Sequence, residues 1–227
     1  MQAEADGKSY EIQVKTLTDQ VFDAVVLAVM EKRIPFGARL KEADIAQQLN
    51  VSRMPVREAL LRLVSEGIVT NTPYKGMCLM EVDEKKLKEI LEVRLALERE
   101  AFRLAIEQLA LGQGDISDTQ AVLDRMSEAC AAQSGARMAQ CDIDYHRSVL
   151  RLSGNETLRR VWEMMARQFQ MIVGIAWHVS DPRAILEAHI VLHSAVGALD
   201  QGRVQELLGP HIMEGISIGL GDLANRS

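Results

Sequence analysis

Aromatic residues make up only 4% of this 227-residue chain, and its three cysteines, Cys78, Cys130 and Cys141, are scattered. They form neither a paired disulfide framework nor a Cys-x-x-Cys motif, so they read as reduced, mostly buried thiols of a cytoplasmic protein. No apolar run approaches the length needed to cross a bilayer, and the polar start lacks the apolar core of a signal peptide. Histidine is missing before residue 140. What is plentiful is Ala, Leu, Met and Glu within a hydrophobic fraction of 48%. That mixture predicts a mainly helical protein, and the length suits one large domain or two small ones.

The net charge of −6 is unevenly placed. Residues 1–78 carry ten Lys+Arg against ten Asp+Glu, and the remainder carries sixteen against twenty-two. A neutral N-terminal part can still present a basic face to phosphate, whereas the acidity belongs to the C-terminal part.

Residues 1–13 are polar and aperiodic and predict a loose arm. Leu17, Val21, Val25 and Val29 then form a helical stripe, which Pro35 and Gly37 interrupt. Leu40, Ala43, Ala46 and Leu49 mark a second, short helix closed at Asn50, and a third runs from about Pro55 to Ser65. Ile68-Val69-Thr70 and Met77-Cys78-Leu79-Met80 read as strands joined by a turn-rich tip. Three helices and a hairpin over residues 14–81 predict a winged helix-turn-helix. Beyond it, residues 82–227 read as an all-α bundle of about six helices, near 84–110, 116–133, 136–152, 156–178, 182–200 and 203–219. Gly209-Pro210 is expected to kink the last.

The most pointed motif is Asn50-Val51-Ser52-Arg53-Met54-Pro55-Val56-Arg57. Ser52 is a good N-cap, and Pro55 is tolerated in a first helical turn, where a missing N–H is no loss. Arg53 and Arg57 lie four apart and share one face at the end of a helix whose free N–H groups favour phosphate. Alone, the two arginines would better fit an ordinary solvated helix face; the flanking elements shift the reading to DNA.

These residues resemble the GntR family of bacterial transcription regulators. The likeness runs through Ile34-Pro35-Phe36-Gly37-Ala38-Arg39-Leu40, then Asp44 to Leu60, then Leu63 and Glu66-Gly67-Ile68-Val69. It implies that Arg53 and Arg57 reach guanine edges or nearby phosphates in the major groove while the wing tip follows the minor groove. Lys41 and Lys75 are candidate backbone contacts, which position without specifying. The chain departs from the family pattern at Ala43, where some members carry arginine, and at Tyr74, where glycine is common at the wing tip.

The five histidines are His146, His178, His189, His193 and His211. Asp142 and His146 lie four apart and share a helix face, and three imidazoles with one carboxylate could converge within a bundle. Spacing alone leaves His193 as good a candidate as His189, and Asp144 as good as Asp142. Each pair also suits an ordinary helix surface.

Here too the chain resembles a known domain, the FCD effector-binding bundle of the FadR-like subfamily. The matching segments are Val93-Arg94-Leu95-Ala96-Leu97-Glu98, Asp142-Ile143-Asp144-Tyr145-His146 with Gly154-Asn155, Glu187-Ala188-His189 through Leu199-Asp200, and His211-Ile212. The resemblance implies a divalent metal (Zn, Ni, Mn or Fe) held by Asp142, His146, His189 and His211. It also implies a small effector, often a carboxylic acid, in the remaining coordination positions. Arg94, Asn155 and His193 are candidate effector contacts. The competing readings are a salt bridge from Arg94 to Glu98, a helix cap for Asn155, and a helix-end or core place for His178. The implied protein is a homodimeric regulator on a pseudo-palindromic operator rather than an enzyme or membrane protein. A metal-dependent hydrolase, or a bundle binding an acyl ligand without metal, are the alternatives.

Overall fold

The computed structural model describes residues 15–176 and 181–213. The expected N-terminal arm, His178 and the last helix beyond residue 213 lie outside them. No helix among the described residues is long and apolar enough to cross a membrane.

The head begins with α1 (Leu17–Met30), started by a capping box in which Thr16 Oγ1 accepts from the Asp19 N–H while the Asp19 carboxylate accepts from the Thr16 N–H. α1 packs on α3 (Arg53–Ser65), with Val21, Phe22, Val25 and Val29 against Val56, Leu60 and Leu63. Two polar ties flank that seam: Thr18 Oγ1 donates to Glu58 at 2.8 Å, and Arg62 pairs with Asp19 at 2.9 Å. α2 (Glu42–Leu49) closes on Asn50 in left-handed geometry (φ 53°), a conformation asparagine tolerates, so α3 departs at a sharp turn.

The wing is β1 (Val69–Thr72) paired antiparallel with β2 (Gly76–Leu79), from Val69 opposite Leu79 to Thr72 opposite Gly76. The segment before α2 adds to its outer edge through a bridge between Arg39 and Cys78. Tyr74, fully exposed at the tip, has φ 67°. The turn demands a left-handed residue there, which costs a non-glycine side chain about 1–2 kcal/mol.

The bundle opens with the 27-residue α4 (Glu84–Ala110), N-capped by Asp83. It continues through α5 (Ser117–Ala131), α6 (Gly135–Leu152), α7 (Glu156–Glu163), α8 (Ala166–Ala176), α9 (Pro182–Gly197) and α10 (Gln201–Met213). α6 is central, packed against α4, α5, α7 and α8, while α9 and α10 pack on each other and on α5 and α4 respectively. Ten buried residues on α6 explain this place.

The helix expected over 156–178 is instead two. At Met164-Met165 the Met165 N–H turns to the Trp162 carbonyl (3.0 Å), one residue tighter than an α-turn. The corner leaves Met164 exposed and lets Trp162 and Phe169, both fully buried, pack their rings 5.7 Å apart. No glycine or proline marks the site, so the break follows from packing. α10 continues through Pro210 despite the missing N–H, and the helix expected to start near 203 begins at Gln201.

The capping box makes a direct prediction. Thr16→Ala should destabilise the protein by about 1 kcal/mol in urea unfolding; no change would mean that α1 is held by its packing alone.

Candidate functional site

Two regions gather the chemistry-bearing side chains. On the head, Arg53 and Arg57 stand exposed in the first turns of α3. Ser52 occupies the N-cap position, but its side chain makes no capping hydrogen bond, so the α3 N–H groups are not closed off by it. Pro55 is buried beneath the helix start, where it shapes the turn and has no surface to offer DNA. Lys41 is exposed and 3.8 Å from Asp44, and Lys75 is exposed at the wing tip. Arg57 and Lys41 share a shallow depression between α3 and the wing with Arg39, whose guanidinium lies over Gly76. Sequence reading did not single out Arg39. Its signal was its place on the edge of the hairpin, a pairing that pattern alone does not reveal.

Inside the bundle, four residues from three helices converge: Asp142 and His146 on α6, His189 on α9 and His211 on α10. One ligand atom from each can be chosen so that all four lie within 4.8 Å of one another. His146, His189 and Asp142 are buried. Of the sequence alternatives, Asp144 is turned outward to Arg147 (2.7 Å) and Arg125 (3.6 Å), and His193 packs near the Tyr145 ring.

The imidazoles are oriented from behind. His189 Nδ1 donates to the Ile185 carbonyl at 2.8 Å, which leaves the Nε2 lone pair aimed into the cluster. His146 Nδ1 lies 2.6 Å from Glu98 Oε2, a close contact off the line of a hydrogen bond. Its Nε2 faces His211 Nε2 at 3.1 Å. His189 Nε2 is buried 3.3 Å from Asp142 Oδ1 without a hydrogen-bond partner. Donor atoms bound to one ion at 2.0–2.2 Å are about 3 Å apart when adjacent. The observed spacings match, and a cation would supply the partner that the buried His189 Nε2 lacks. The residues present fit a metal.

The electrostatics agree with that reading. Burial pushes His146 below the ordinary imidazole value, outweighing the opposing pull of Glu98. His211 falls well below it, through burial and the neighbouring His189 and His146. A ligating imidazole must be unprotonated. Burial would raise the Asp142 carboxyl, but Arg94 and the histidines hold it well below the carboxylate range. Glu98 likewise reaches about 2, because Arg94 and His146 outweigh its burial. Arg94 is fully buried and joins both acids, with Nε donating to Glu98 at 2.8 Å and Nη2 to Asp142 at 3.0 Å. The Trp162 indole N–H also donates to Glu98, at 2.9 Å. The sequence reading weighed Glu98 only as a partner for Arg94, and it missed Trp162 and the fully buried Tyr145, whose ring lies edge-on to His146 and His189.

Beside the cluster opens a cavity of about 530 Å³, lined at its inner end by Arg94, Asp142, His189 and His211. Neither Asn155 nor His193 lines it. Asn155 caps α7, its side-chain oxygen accepting from the Leu158 N–H, and His193 lies one turn further along α9, buried beside Tyr145.

A winged helix-turn-helix joined to a helical bundle with a cavity beside a buried polar cluster is the architecture of a transcription regulator with an effector domain. Comparison with known proteins makes the class specific. Residues 17–78 match the gntR family of bacterial regulatory proteins, and residues 89–214 match the FCD domain. The chain belongs to the FCD-containing GntR-family regulators. It is 28% identical to a probable D-xylose utilization operon transcriptional repressor of Paenarthrobacter nicotinovorans, over 91% of this chain and 90% of that one. The gluconate operon transcriptional repressor of Bacillus subtilis is 26% identical over 77% and 73%. Among solved structures, E. coli McbR/YncC superposes with a TM-score of 0.71 at 26% identity, covering 93% of this chain and all of that one. These relatives are transcription regulators and not enzymes.

Acid should weaken the metal-free fold. His146 and His211 bind protons less readily when folded, so below about pH 6.5 the unfolded chain takes up protons that the fold refuses. The depressed acids act in the same direction at lower pH. The melting temperature after chelator treatment is therefore expected to drop by a few degrees between pH 7 and pH 5. A flat profile would contradict the shifted histidines.

Proposed function

We propose that this regulator holds a divalent metal through Asp142, His146, His189 and His211, and that a small carboxylic acid binds beside it and modulates operator binding by a homodimer. The observation that supports this reading is the convergence of four ligand atoms, with the buried His189 Nε2 turned inward without a hydrogen-bond partner. Nitrogen and oxygen donors of this kind suit Zn²⁺, Ni²⁺, Mn²⁺ or Fe²⁺. Such an ion supplies positive charge and coordination positions for a carboxylate. Freshly purified protein should contain about one metal per chain, lost in Asp142→Ala or His189→Ala. Metal content insensitive to both substitutions would refute the assignment.

At the other end of the molecule, Arg53 and Arg57 are proposed to read bases and Arg39, Lys41 and Lys75 to position the head on phosphates. A bidentate arginine–guanine contact discriminates by roughly 1–3 kcal/mol. Arg53→Ala or Arg57→Ala should therefore erase about tenfold or more of the preference for operator over random DNA. Equal weakening on both DNAs would assign these arginines to phosphate.

The two ends share α8. Val173 and Ala176 line the cavity, while Gly174 sits against Met30 of α1 so closely that an added Cβ would lie 2.7 Å from Met30 Cγ. Gln168 donates to the Glu66 carbonyl at the end of α3 (3.0 Å), and Arg167 lies over the Phe22 ring. A ligand that moves α8 thereby moves the head. Gln168→Ala should leave acid affinity unchanged while reducing the effect of acid on operator affinity. Undiminished coupling would place the route elsewhere.

A further inference from the structure

We infer that the cavity selects an organic monocarboxylate with an apolar body, and that it discriminates against dicarboxylates and polyhydroxy acids. The inference rests on the metal-and-acid reading above.

Charge is the first ground. A divalent cation and the Arg94 guanidinium face two buried carboxylates, Glu98 and Asp142, and ligating imidazoles are neutral. The loaded centre then carries one net positive charge, which a single carboxylate cancels. Arg94 already serves both acids, and no other Lys or Arg is among the described lining residues. The remaining ionisable groups along the wall are Asp181 and Glu187, both exposed and both acidic. A second carboxylate on the ligand would meet repulsion there or lie unpaired against apolar wall, and an uncompensated charge in such a place is costly.

The second ground is the chemistry of the walls. Val173, Ile185, Val191, Leu207 and Pro210 make the sides, and no Ser, Thr, Asn, Gln or Tyr is among the described lining residues. The hydroxyls of a sugar acid would surrender water without gaining partners. An apolar cavity of about 150 Å³ already accepts benzene, so about 530 Å³ leaves room for a ring or a medium-length chain.

The test is calorimetric titration of the full-length, metal-loaded protein with octanoate, 3-phenylpropionate, adipate and gluconate, alongside metal analysis of the same sample. Octanoate or 3-phenylpropionate should bind at least tenfold more tightly than adipate and gluconate. Glu187→Lys should narrow the gap for adipate and not for gluconate. Adipate or gluconate binding as tightly as the apolar acids would overturn the selectivity while leaving the metal-and-acid reading intact. Stoichiometric metal with no acid bound would overturn both. Octanoate bound equally well after chelation would remove the metal from the recognition and overturn the charge argument.

Discussion

The buried guanidinium of Arg94 is the interaction on which the rest of the bundle depends. It pairs with Glu98 from its own helix and with Asp142 from α6, and both acids also contact histidines. Without it, two carboxylates would lie side by side in a low-dielectric core, and at least one would take up a proton. A protonated Asp142 is a poor ligand, and a protonated Glu98 no longer steers His146. The ion pair therefore sets the charge state of the cluster. Buried pairs of this kind are weak evidence for stability, since desolvation offsets much of their attraction. Their value here is orientation.

That network also fixes which helices must meet. Arg94 and Glu98 lie on α4, Asp142 and His146 on α6, His189 on α9 and His211 on α10, so one polar centre ties four helices. The Trp162 indole adds α7 through Glu98. Apolar packing closes the same helices but is non-directional, whereas hydrogen bonds and ion pairs permit few rotations about each axis. The side chains that would bind metal are thus held by the groups that specify the bundle.

Much of this was legible in the sequence because it is local. Periodicity and breakers place α4 at the observed bounds and α5, α6 and α9 within a few residues. The corner at Met164-Met165 was not legible, because it is imposed by Trp162 and Phe169 reaching the core and carries no glycine or proline. Spacing left His189 and His193 equivalent; only their surroundings separate them, one facing His146 and His211 and the other packed near Tyr145. The roles of Glu98 and Trp162 depend on contacts more than sixty residues apart along the chain for Trp162–Glu98. Conversely, Asn155 caps a helix as its local position suggested, and Arg94 forms the Glu98 ion pair weighed as the alternative to an effector contact.

The head and this centre both pack against α8, which is buried between them. Nine of its eleven residues are buried, so it has no free face along which to adjust independently. Gly174 allows α1 to approach where any side chain would collide with Met30. Close-packed interiors resist continuous deformation and respond by repacking between discrete arrangements. A ligand filling the cavity beside Val173 and Ala176 acts on the element that carries the Gln168 and Arg167 contacts to the head. The extent of control is limited by the difference in ligand affinity between the two arrangements, however tightly the ligand binds either one. With the proposed metal in place, a single-charge centre with apolar walls would suit such a difference, since a carboxylate would anchor at the cluster while an apolar body met α8 at Val173 and Ala176.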